Sequence, residues 1–150
     1  MAKTHKQALI DAVESIGTTK RIKYRDTIHL PVHQVSVGET RIAIYMDDEE
    51  VPEYFSDIFP EQRPEWVGST CELREYKILI EDKHKVAYLI NAARIYPDGS
   101  VLQTFDAIFT IANVLGDWRL VSRNPFNIAK VPPLSLIHIS EHTRRYAISY

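Results

Sequence analysis

A single cysteine, Cys71, leaves this chain of 150 residues without the means for an internal disulfide, and no local signature marks that thiol as catalytic. Long apolar runs are missing too. No stretch approaches the ~20 apolar residues of a membrane-spanning helix, and the opening MAKTHKQALIDAVESIG has no apolar core of signal-peptide length. Nor is there an excess of charge of one sign. The formal net charge of -2 gives no electrostatic reason to expect nucleic acid or an acidic membrane as partner. These absences point to a cytoplasmic protein. The only basic cluster, Lys20, Arg21, Lys23 and Arg25, reads as a solvated helix face.

What is present suits one globular domain, since 45% of residues are hydrophobic and 25% charged. Thr4 to Gln7 has the form of a capping box, and Leu9, Ile10, Val13 and Ile16 follow at helical spacing. The pattern predicts a first helix over Thr4 to Ile16 and a short second one over Thr18 to Tyr24. A hairpin is expected next, Thr27 to Val37 and Arg41 to Tyr45, around Gly38-Glu39. Its histidines, His29 and His33, would lie about 13 Å apart on a strand, too far to share a metal ion. A further helix is predicted from Asp48 to Phe59, with Val51, Tyr54, Phe55, Ile58 and Phe59 forming an apolar stripe and Pro60 ending it.

From Cys71 onward the chain reads as β-structure. Cys71 to Glu81 is a strand, and Lys85 to Pro125 makes an antiparallel meander of a strand, a Pro97-Asp98-Gly99 turn, a long strand, a Gly116-Asp117 turn and a short last strand. On the long strand one face carries Val101, Gln103, Phe105, Ala107, Phe109 and Ile111. The other carries Leu102, Thr104, Asp106, Ile108, Thr110 and Ala112. Both faces are largely apolar, so both must be covered.

Leu134 to Arg144, LSLIHISEHTR, resembles the conceptual translation of a sequencing-library adapter, with His142 where that translation gives Pro, and Arg145 to Tyr150 similarly resembles its continuation. The expectation is a single domain over residues 1–133 followed by a non-native tail over 134–150. A chain ending at Pro133 should then melt within a few degrees of the full chain; a larger loss, on the order of 1 kcal/mol, would make the tail integral.

The order of helices, hairpin, helix and long antiparallel strands resembles the nuclear transport factor 2-like superfamily over residues 4 to about 126. The segment YPDGSVLQTFDAIFTIANVLGDWRLVSRNPF is similar to the ending of its SnoaL-like members. The resemblance implies an α+β fold in which a curved antiparallel sheet wraps against N-terminal helices around a pocket. It also implies that the sheet's outer face packs on a second subunit, here through Val101, Phe105, Ala107, Phe109 and Ile111. Asp106 falls where ketosteroid isomerase, a member of the same superfamily, carries its oxyanion-hole aspartate, a role that needs an apolar site.

The isomerase's other catalytic groups do not carry over. Leu30 stands where its general base would be, and the first helix has no tyrosine. The resemblance therefore implies a pocket for a small hydrophobic molecule without cofactor or metal, bounded by Tyr24, Leu30, Tyr54, Phe55, Trp66 and Ile108 under the helices. Asp106 would be the acid or base of a cyclase, isomerase or dehydratase, with His29, Asp26, Tyr24 or Glu75 as its partner. The alternative is a non-catalytic dimeric module, with Asp106 satisfied by Arg94 or Tyr88 on the neighbouring strand.

Overall fold

The computed structural model describes residues 3–36, 41–45, 47–49, 51–55 and 64–130. The first helix, α1, spans His5–Ser15. Thr4 is its N-cap, and its hydroxyl accepts from the Gln7 backbone N–H at 3.1 Å. The Gln7 side chain turns to Asp11 Oδ1 instead of closing the box. Ala8, Leu9, Ala12 and Val13 fall on one face and are buried, so the apolar stripe rather than intrinsic propensity holds the helix to the sheet. At its end Gly17 permits a close approach: a Cβ there would meet Thr70 Cα at 3.0 Å and Ser69 O at 3.3 Å.

Two predicted helices are corrected. Thr18 to Tyr24 forms turns, followed by a 3-10 turn over Tyr24–Thr27. Thr18 is diverted to the 66–69 segment, where its N–H donates to Ser69 O at 2.8 Å and its hydroxyl to Trp66 O at 2.7 Å. Such local bonds compete with helix. In the second case the described part of Asp48 to Phe59 is turns and bends as far as Tyr54, with Pro52 unable to donate and Phe55 in 3-10 conformation. Val51 and Phe55 are buried all the same, and residues 56–59 lie outside the described set. The basic cluster is likewise no helix face. Lys23 pairs with Glu53 at 2.8 Å, and an Arg25 Nη donates to Val51 O at 2.5 Å, so both side chains tie the 3-10 turn to the 47–55 segment.

Six strands follow in one sheet of order β2-β1-β6-β5-β4-β3. They are β1 Ile28–Ser36, β2 Arg41–Tyr45, β3 Thr70–Glu81, β4 Lys85–Ile95, β5 Val101–Val114 and β6 Asp117–Lys130. All neighbours are antiparallel except β1 and β6, which run parallel, so the sheet is mixed and not wholly antiparallel. The last strand is also long, not short. Pro125, the expected end of the meander, lies past Arg123, the last residue that β1 pairs, where the missing N–H is tolerated. The tail at 134–150 lies outside the described residues. Among the described residues, no helix is long and apolar enough to cross a membrane.

The register decides which face α1 covers. Tyr88 pairs with Phe109, Ile90 with Ala107 and Ala92 with Phe105, and these side chains share one buried cluster with Leu9, Val13 and Ile16 of α1 and its cap. The face expected under the helix was that of Asp106. It is the opposite one. Alternation could not separate two largely apolar faces, but Phe105, Phe109 and Ile111 bury more apolar area than Thr104, Asp106 and Thr110 could. The dimer face expected through Val101, Phe105, Ala107, Phe109 and Ile111 is corrected for the same reason, because the chain itself buries the last four, while Val101 is half-buried at the start of β5.

Candidate functional site

On the helix-covered face three aromatic rings from distant segments meet. Tyr24 of the 3-10 turn lies edge-on to Phe55 at 5.7 Å, and Phe55 stacks on Trp66 at 6.3 Å. Leu30 and Trp66 pack against the core from its margin. Tyr54 lies half-buried with the Lys20 ammonium 5.3 Å from its ring centroid. Of the six side chains expected to bound a pocket, Tyr24, Phe55 and Trp66 are thus brought into contact, whereas Ile108 is on the other face.

Two guanidinium groups flank these rings. Arg94 of β4 lies 4.0 Å from the Trp66 centroid, and Arg123 of β6 lies 5.6 Å from that of Phe55. Arg94 is only 2% exposed. It donates to Ile16 O at the end of α1 at 2.9 Å and to Ser69 Oγ at 3.0 Å, so a cation sits at a helix C-terminus where the dipole favours it. Burial pushes its pKa below the ordinary value, and neighbouring Arg123 pushes in the same direction. Cys71 lies in the same region, and burial raises its thiol. A buried neutral thiol is a core residue, not a nucleophile.

Asp106 is held on the opposite face. It is 7% exposed and accepts Asn91 Nδ2 at 3.0 Å and Asn127 Nδ2 at 3.1 Å. Asn91 is its cross-strand neighbour, and Asn127 reaches it from a β-bulge where its own φ is 52°, a left-handed conformation that asparagine tolerates. Arg94 and Tyr88, the partners expected for this carboxylate, belong to the helix-covered face. His29 does not reach it either, since its Nε2 lies 2.7 Å from Asp117 O. Asp26 is exposed in the 3-10 turn, and Glu75 shares the Asp106 face through its pairing with Asn91. Replacing Asp106 by Asn would retain one acceptor and turn an N–H₂ toward the other amide. The expected loss is about 2 kcal/mol, within the range for hydrogen bonds to charged groups, and chemical denaturation measures it. An unchanged midpoint would mean that the two amides contribute nothing.

No protein family matches the sequence, and no curated protein matches it. Solved structures do. A protein of unknown function from Nostoc punctiforme superposes with a TM-score of 0.63 at 12% identity, over 89% of this chain and 99% of that one. An uncharacterised protein from Caulobacter vibrioides gives 0.54 at 11% identity over 93% and 92%. A domain of unknown function, also from Nostoc punctiforme, gives 0.54 at 10% over 95% and 87%. All three have a cystatin-like fold. This chain has it too.

At such identities the likeness is one of architecture. A cystatin-like fold places a helix against a curved sheet and leaves the chemistry to whatever side chains line the space between. Sequence reasoning missed Arg94 as a stacking partner, Gln103 beside it, and the two asparagines of Asp106. The only available signal was a polar residue inside an apolar strand, as in LINAARI, and that signal names no partner until the register is known.

Proposed function

We propose that this protein is a non-catalytic module that binds a small hydrophobic molecule on the helix-covered face and works as a homodimer. The observation that carries the reading is the separation of two groups: Tyr24, Phe55 and Trp66 meet under the helix side of the sheet, while Asp106 lies across it, held as an acceptor by two amides. An acid–base enzyme of the cyclase, isomerase or dehydratase type would need that carboxyl within reach of the bound molecule. Aromatic walls with a few polar groups are what a small-ligand site offers. Trp66 is its reporter. With Trp118 replaced by Phe, a panel of flat hydrophobic ligands should change Trp66 emission saturably, and no response from any ligand would refute the reading.

The dimer is supported by the face that α1 leaves bare. Leu89 and Ile108 are half-buried there, and Phe126 on the same side is exposed, a pattern that favours a second copy over solvent. Sedimentation at micromolar concentration should give a dimer; a stable monomer would contradict it. A single buried free cysteine suits the reducing cytoplasm, which is part of the same proposal.

A further inference from the structure

Gln103 and Arg94 face each other across β5 and β4, which places their Cβ atoms about 5 Å apart. Both are buried, Gln103 at 6% exposure and Arg94 at 2%. Among the described residues the Gln103 carboxamide makes no side-chain hydrogen bond, although it carries two donors and an acceptor. Arg94 also keeps its Nε buried without a partner. Its hydrogen-bond acceptors are a backbone carbonyl and a hydroxyl, and no carboxylate pairs with it among the described residues. More than nine in ten buried polar groups are satisfied in folded proteins, and a buried cation without a counter-charge is strongly disfavoured. A buried charged donor without an acceptor, beside a carboxamide that no side chain engages, is the complement of an oxyanion.

Resting on the proposed function, we infer that the ligand carries a carboxylate, which Arg94 and Gln103 receive while its apolar body lies against Trp66 and Phe55. The carboxylate supplies the counter-charge that Arg94 lacks and accepts the free carboxamide N–H, both as charge-assisted bonds. Neutral analogues of the same shape keep the stacking and forfeit these bonds.

The test compares 2-naphthoate with its isosteric neutral partner 2-naphthamide, titrated by Trp66 emission in the Trp118→Phe background. The wild-type protein should bind the acid at least tenfold tighter than the amide, and Gln103→Leu and Arg94→Met should each bring the two within about threefold. Arg94→Met also removes the clamp on α1, so Gln103→Leu decides if that variant does not fold. Equal binding of acid and amide, or a tenfold preference persisting in folded Gln103→Leu, would overturn the carboxylate inference and leave the ligand-binding module standing. Failure of both compounds, and of every neutral ligand in the panel, to bind would overturn both.

Discussion

Phe109→Ala is expected to lower the unfolding free energy by about 3–5 kcal/mol, the range for deleting a buried aromatic side chain. Phe109 is fully buried, directly opposite Tyr88 on β4 and Arg123 on β6, within the cluster that α1 covers. Ile108 immediately precedes it on β5 but lies half-buried on the other face. Ile108→Ala should therefore cost less than half as much. The pair of variants tests the face assignment directly, because a one-residue slip in register would exchange their environments. Urea denaturation of both gives the answer. An Ile108 variant that loses as much as the Phe109 variant would place α1 on the wrong side of the sheet.

Stability should also fall steeply in alkali because of one phenol. Burial raises the Tyr88 pKa to about 12 from an ordinary 10, with Tyr76 and Glu81 adding to the shift. Its hydroxyl hydrogen-bonds His5 Nδ1 at the start of α1. A folded-state pKa above the unfolded one means that the unfolded chain releases this proton first. The stabilisation is therefore complete below pH 10 and lost as pH rises from 10 toward 12. Tyr88→Phe should cost about 1 kcal/mol at neutral pH through the lost hydrogen bond, yet show a shallower decline between pH 9 and pH 11.5 than the parent. Parallel declines in the two proteins would show that the phenol stays solvated.

Much of the fold could be read directly. The Thr4 cap, the apolar spacing of α1 and the turn at Gly99 each carry a local physical cause, and each occurs where that cause puts it; β1 and β2 pair antiparallel as expected, while the Gly38-Glu39 turn lies outside the described residues. The long β6 was hidden by Pro125, whose tolerance depends on where β1 stops pairing. The face of β5 was hidden more deeply, since period-two alternation separates apolar from polar and here both sets are largely apolar. Of the site, the aromatic residues could be named because large apolar rings seek the core. Arg94 could not, because the carbonyl it caps lies 78 residues away in sequence. The amides of Asp106 stand 15 and 21 residues from it and become visible only once strands are paired.

The separation of the aromatic cluster from Asp106 is tested most directly by one titration, Trp66 emission against a flat hydrophobic ligand, run on Asp106→Asn and Phe55→Leu beside the parent in the Trp118→Phe background. Asp106→Asn should bind within about twofold of the parent despite melting earlier, since its hydrogen bonds lie across the sheet from Trp66. Phe55→Leu removes the ring that stacks on Trp66, and should weaken binding about tenfold, roughly the 1–1.5 kcal/mol of one aromatic pair. A folded Asp106→Asn protein that no longer binds, beside a Phe55→Leu protein that binds normally, would place the ligand on the Asp106 face and contradict the account.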